Sequence, residues 1–266
     1  MMNRRNLFAR LAGAALALTA ALVAVSPASA DGLDAIMERG TLRVAVPQDF
    51  PPFGSVGTDM APQGYDIDMA GLIAKEMGVT LELVPVTSAN RIPYLQTNKV
   101  DLVISSLGKN AEREAVIDFS TAYAPFYNGV FGPKDSGVTK AEDLAGKVVG
   151  VTRGSVEDLE LTKIAPSDTT IKRYEDNNGT ISAFLSDQVD LVATGNVVAA
   201  AILAKNPPRK PEPLFLIKNS PCYIGMAKNE PKLKEKVDAI IAAAKEDGKL
   251  DAISETWLGM KLPETL

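Results

Sequence analysis

Leu95-Gln-Thr-Asn-Lys-Val-Asp-Leu-Val103-Ile-Ser105 returns later in the chain as Leu185-Ser-Asp-Gln-Val-Asp-Leu-Val192-Ala-Thr194. Each stretch reads as a helix end, a short polar turn, a buried Val-Asp-Leu-Val strand and then small polar residues. A common helix-to-strand connection used twice is one explanation. The reading adopted is two related lobes, each with its own sheet. Loops at the carboxyl ends of strands form the ligand crevice in open α/β sheets. Two lobes would face those ends across one cleft.

The surrounding sequence keeps the same rhythm. Thr41-Leu-Arg-Val-Ala-Val46 alternates as a strand does. Ile67, Ala70, Ile73, Ala74 and Met77 fall at helical spacing before Gly78, and Val79 to Val86 reads as strand again. This βαβ order predicts an α/β fold with a largely parallel sheet. The first lobe is expected over 31–132. The second is expected over 133–222, beginning near Pro133 after the apolar segment Tyr127 to Gly132. Residues 223–266 are expected to return to the first lobe. Thr139-Lys-Ala-Glu142 is a capping-box pattern. Ser155 reads as the cap of a helix begun by Val156-Glu157-Asp158. Cys222 to Ala227 is a candidate second crossing strand, and Pro231 to Trp257 reads as helices broken near Gly248. Two crossing strands would make a hinge rather than a loose linker.

Residues 1–30 stand outside this pattern. Arg4, Arg5 and Arg10 form a positive head, Leu11 to Val25 is an uncharged, largely apolar run, and Ser26-Pro27-Ala28-Ser29-Ala30 offers an A-x-A cleavage site. That is the layout of a secretory signal. Its apolar run is shorter than the ~20 residues that span a bilayer. No cysteine adjoins the cleavage site to carry a lipid, so the expected location is free in a bacterial periplasm. Losing the three arginines takes the formal net charge of -5 three units further negative. Such a chain does not seek nucleic acid or anionic lipid, and a cationic site within it must be local.

The 266 residues include no histidine and one cysteine, Cys222. Ser-His-Asp and Cys-His catalysis and the commonest transition-metal ligand are thereby removed. An intramolecular disulfide is excluded, and Cys222 reads as a small buried apolar residue. The phosphate-binding patterns G-x-x-x-x-G-K-[ST] and G-x-G-x-x-G are missing too. No cofactor or metal is expected.

The candidate binding residues lie where the strands end. Ser105-Ser106-Leu107-Gly108 follows a buried strand, with Arg113 a few residues on. Hydroxyls, exposed amides and a guanidinium fork suit a carboxylate. Arg113 could equally pair with Glu112, Glu114 or Asp118 on a solvated face. In the turn Arg153-Gly154-Ser155, leading into Val156, free amides and a positive helix end favour an anion; plain helix capping explains it as well. Asp49-Phe50-Pro51-Pro52-Phe53 places two aromatic rings after the first strand. One could cover the aliphatic stem of a ligand, and Phe53 is expected in the core. In Ser88-Ala89-Asn90-Arg91, the arginine either faces solvent or reads a second anionic group. Tyr65-Asp66-Ile67-Asp68 reads as a helix start whose acids complement the dipole.

Taken in order, these segments resemble the periplasmic solute-binding proteins of polar amino acid ABC transporters, bacterial extracellular solute-binding protein family 3. The resemblance runs through Leu42-Arg-Val-Ala-Val46, Gly64-Tyr-Asp-Ile-Asp68, Asn90-Arg-Ile-Pro93, Val100-Asp-Leu102, Ile117-Asp-Phe-Ser120, Leu144-Ala-Gly-Lys147, Gly154-Ser155 and Trp257-Leu-Gly259. It implies a type II periplasmic-binding-protein fold: two α/β lobes joined by two hinge-crossing strands, with the ligand cleft between them. The expected partners are one small amino acid ligand and an inner-membrane ABC permease, with the chain itself a monomer. In such families the aromatic at the position of Phe50 packs on the ligand. Residues matching Ser106, Gly108 and Arg113 hold the α-carboxylate, helped by the turn at Ser155 and Val156. The stretch from Ser88 to Arg91 is similar to that of acidic amino acid binders. One departure concerns the ligand ammonium, which many members hold with an Asp just after the second repeat strand. Gly195 stands there, followed by Asn196. Periplasmic dehydratases of prephenate-like substrates are similar to this family, and an enzyme of the cyclohexadienyl or arogenate dehydratase type is the alternative expectation.

Overall fold

The structure, a computed structural model, describes residues 31–266, so the secretory-signal reading of residues 1–30 lies outside the described residues. Two five-stranded sheets carry the architecture. In the first, the strand order is Thr80–Pro85, Thr41–Val46, Leu102–Leu107, Cys222–Ala227 and Ile117–Ala124. The first three run parallel and the last two antiparallel to their neighbours. In the second, the order is Thr170–Tyr174, Val148–Thr152, Leu191–Gly195, Tyr127–Gly132 and Glu212–Asn219, again parallel on one side and antiparallel on the other.

The two copies of the sequence repeat occupy the same place. Leu102–Leu107 and Leu191–Gly195 are each the central strand of their sheet. The repeated aspartate has one job in both. Asp101 accepts a hydrogen bond from the Arg43 amide at 2.8 Å, and Asp190 accepts one from the Val148 amide at 2.7 Å. In each lobe, therefore, an acid just ahead of the central strand ties down an amide of the adjoining parallel strand. Asp101 also pairs with Arg39 and Arg43.

The chain changes sheets twice. Strand Ile117–Ala124 belongs to the first sheet and Tyr127–Gly132 to the second, so the first crossing is Pro125-Phe126. This corrects the boundary expected at Pro133: the apolar segment 127–132 pairs with Leu191–Gly195 and Glu212–Asn219, and is core to the second lobe. The return falls at Ser220-Pro221, and Cys222 already pairs with Ala124 in the first sheet. The Ser220 amide donates to the Phe126 carbonyl at 3.2 Å, which holds the two crossings side by side.

Helix Tyr65–Met77 lays Met69, Ala70, Ile73 and Met77 on the first sheet and ends at Gly78, whose φ of 72° is left-handed. Helices Pro231–Glu246 and Lys249–Leu258 follow the return crossing, and Leu233, Val237, Ile241 and Leu250 join that same core. Fully burying such a side chain contributes roughly 1.5–3 kcal/mol. The Trp257 indole donates to Asp68 at 2.6 Å, tying the last helix to the start of Tyr65–Met77. A separate core, including Val130, Val149, Val151, Leu161 and Leu191, fills one face of the second sheet.

Candidate functional site

One wall of the cleft is made by the end of strand Leu102–Leu107. Ser106 has φ 41°, a left-handed conformation that costs a non-glycine residue energy. Asp66 accounts for its persistence. This carboxylate is fully buried, accepts from the Ser106 amide at 2.7 Å and takes the Tyr123 hydroxyl at 2.5 Å. The sequence reads Asp66 as a helix-start acid that complements the dipole; the structure turns it inward as the brace of the cleft floor. Burial pushes its carboxyl up to about 7, against the pull of Tyr123, the Ser106 amide and Arg91. Arg91 is buried as well, which excludes the solvent-facing alternative. Its Nη1 donates to the Ser105 carbonyl at 2.7 Å and its Nε to the Ser88 carbonyl at 3.2 Å. Burial lowers its pKa, and the charges of Glu157 and Asp66 oppose that.

The opposite wall follows strand Val148–Thr152. Ser155 caps helix Val156–Ile164 by accepting from the Asp158 amide at 3.2 Å, while Asp158 accepts from the Gly154 amide at 2.9 Å. The Ser155 amide donates to the Thr152 carbonyl. Much of the anion-binding capacity expected of this turn is thus spent on capping. Arg153 points away: its Nε pairs with Glu175 at 2.9 Å on a half-exposed surface, so it does not line the cleft.

Arg113 joins the two walls. Its guanidinium donates from Nη1 to the Gly108 carbonyl at 2.7 Å and from Nη2 across the gap to the Gly154 carbonyl at 2.8 Å. Glu112, Glu114 and Asp118, the alternative partners, pair instead with Lys163, Lys109 and Lys228. Burial, then repulsion from Arg91, takes Arg113 down to about 9, and Glu157 works against this. Asp49 makes a second bridge by accepting from the Asn177 amide at 2.6 Å. Gly108 faces Val156 of the opposite wall and Ser220 of the return crossing. A Cβ there would stand 2.7 Å from the Ser220 hydroxyl and 2.8 Å from a Val156 methyl, so a side chain at this position would make those two side chains shift.

Between the walls lies a narrow, polar, nearly closed cavity. Phe50, Ser88, Arg91, Ser105, Ser106, Gly108, Ser155 and Val156 line it, together with Asp49, Phe126, Asn128, Glu157 and Asn177. Arg113 stands behind this lining. Gly195 and Asn196 are not part of it. The Phe126 ring fills the space a side chain at 195 would need, its Cζ lying 2.0 Å from where a Cβ would be. Asn196 accepts from the Tyr127 amide at 3.0 Å and serves the strand end. The lining residues missed in the sequence had thin signals. Asn128 is the lone polar residue in an apolar strand, and Glu157 looks like any first-turn acid. Among the described residues the buried Asn128 Nδ2 has no hydrogen-bond partner, a donor awaiting an acceptor. Glu157 is buried too, and desolvation raises its pKa. Among the described residues no cluster of three His, Cys, Asp or Glu side chains is placed to hold a metal ion, and no helix is long and apolar enough to cross a membrane.

Two α/β lobes, two adjacent crossings and a polar cavity closed between them define a solute-binding protein with the type II periplasmic-binding fold. The chain belongs to the bacterial extracellular solute-binding proteins, family 3, whose model matches residues 42–260. It is 27% identical over 249 residues to the L-cystine-binding protein TcyJ of Escherichia coli, covering 92% of each chain. Among solved structures, the cysteine-binding protein of Campylobacter jejuni superposes with a TM-score of 0.79 at 28% identity, over 89% of this chain and 96% of that one. The ancestral amino acid-binding protein AncCDT-1, a precursor of cyclohexadienyl dehydratase, gives a TM-score of 0.77 at 31% identity, over 85% and 98% of the two chains.

Proposed function

We propose that this protein captures a polar amino acid between its lobes and presents it, closed, to the permease of an ABC importer. The observation that carries the reading is the charge pattern of the cavity. Arg91 and Glu157 line the same small space, together with serine hydroxyls and the unpartnered Asn128 amide. Opposite fixed charges beside neutral donors match a zwitterion. A guanidinium has five donors, and the two bonds Arg91 makes to backbone leave others for a ligand carboxylate. Ligand that touches both walls stabilises the closed form over the open one, which is how binding drives closure. The chain works as a monomer in the periplasm, with one ligand each. A thermal-shift screen of the twenty amino acids and L-cystine on residues 31–266 tests this. A concentration-dependent rise in melting temperature is expected for a few of them. No rise with any of them would refute the reading.

A dehydratase activity has one observation in its favour. Glu157 is a buried carboxyl lining the same cavity, and a positioned carboxyl is one of the groups that can serve general acid–base catalysis. Incubation with prephenate or arogenate separates the readings. Appearance of the aromatic product would replace transport with catalysis.

A further inference from the structure

We infer that Glu157, on the second lobe, holds the ammonium group of the ligand, in place of an acid at position 195. The inference rests on the amino acid reading above and concerns which residue completes that site. An ammonium taken out of water without a carboxylate is costly, so some acid must meet it. Position 195 is closed to one. The Phe126 ring stands against the Gly195 backbone, and it is held there by Phe50 and Phe53, whose ring centroids lie 6.2 Å and 5.6 Å away.

Of the acids that line the cavity, Asp49 is committed. Its oxygens take the amide and the side-chain nitrogen of Asn177 at 2.6 Å and 3.5 Å, across the gap. Asp66 lies behind the wall, occupied by Ser106 and Tyr123. Glu157 is different. Among the described residues, the Ser155 hydroxyl and its own amide favour its charge by hydrogen bonding. Arg91 and Arg113 act on it through space, while the donors they use go to the carbonyls of Ser88, Ser105, Gly108 and Gly154. A buried carboxylate with lone pairs to spare suits a compact three-donor ammonium. The cation anchor thereby moves from the end of strand Leu191–Gly195 to the first turn of helix Val156–Ile164. The ligand carboxylate then balances Arg91 while its ammonium balances Glu157.

The test is a calorimetric titration of residues 31–266 with the amino acid that binds most tightly in the screen, and with its 2-hydroxy analogue. The analogue keeps size and carboxylate and loses the charge on nitrogen. The wild type should prefer the amino acid by about 10- to 100-fold, the range set by one charged hydrogen-bonded pair. Glu157→Gln should lower that preference at least ~10-fold, through weaker binding of the amino acid. Should the Gln variant not fold, Glu157→Asp, with the same charge and a shorter reach, is expected to narrow the preference instead. An unchanged preference in the folded variant overturns the role of Glu157 and leaves the amino acid reading standing. A wild type that binds no amino acid overturns both.

Discussion

Replacing Gly195 with alanine puts a methyl group where the Phe126 ring stands. The new Cβ would lie 2.0, 2.5 and 2.9 Å from three ring carbons. The backbone at Gly195 has φ -77°, so alanine brings no conformational strain of its own and the clash is the whole effect. The ring has little freedom to yield, being 6% exposed and packed against Phe50 and Phe53. Overpacking of this kind costs about 1–3 kcal/mol. At roughly 2–4 °C per kcal/mol for a chain of this size, the melting temperature should fall by about 2–12 °C. Phe126→Ala alone should cost about 3–5 kcal/mol. Once the ring is gone, adding Gly195→Ala should cost under ~0.5 kcal/mol more, so the pair is strongly non-additive. Urea unfolding of the four proteins, followed by circular dichroism, measures the cycle. Equal costs of Gly195→Ala in both backgrounds, or none in either, would mean that the ring does not occupy this space. Position 195 would then be open to a side chain, and the case for Glu157 would lose its first premise.

Asp66→Asn tests the brace beneath Ser106. Because burial raises the folded-state pKa to about 7, the unfolded chain ionises first as pH rises. Asp66 therefore costs nothing below pH ~4, destabilises progressively between about 4 and 7, and levels off above that, for a total on the order of 4 kcal/mol. The stability of the wild type minus that of Asp66→Asn should fall by this order from pH 4 to 8, as read from urea midpoints; a difference independent of pH would refute the buried acid. Arg113→Ala removes the bond to Gly154 that spans the lobes, along with the bond to Gly108. Hydrogen bonds from a charged donor are worth about 1.5–3 kcal/mol each, so ligand affinity should drop at least ~10-fold while the fold survives. Affinity kept within a few-fold in a calorimetric titration would show that this bridge does not support the closed form.

The fold was legible because it is written twice. The Val-Asp-Leu-Val copies fall on the central strand of each sheet, and their aspartates do the same work in both. The crossing was harder to place. Tyr127 to Gly132 is apolar enough for either core, and only its partners, set by long-range pairing, assign it to the second sheet. At the site, the serines and glycines after strand ends were readable because backbone turns there need small residues. What Arg113 touches was not, since a guanidinium reaches across several residues and its acceptor, the Gly154 carbonyl, is distant in sequence. Asp66 and Glu157 show the same limit from the other side. First-turn acids usually stay in water with the helix dipole, and nothing local marks these two as drawn inside. Gly195 raised a real question in the sequence, but the Phe126 ring that answers it arrives from the other end of the second lobe's chain segment.

The central claim is that a small zwitterion sits between the lobes. The most direct measurement is a crystal structure of the protein saturated with the amino acid that gives the largest thermal shift. Density for one molecule, contacting Phe50 and Arg91 from one lobe and Glu157 from the other, is the expected result. A ligand bound outside this cavity, with the cleft residues touching only one another, would contradict the account.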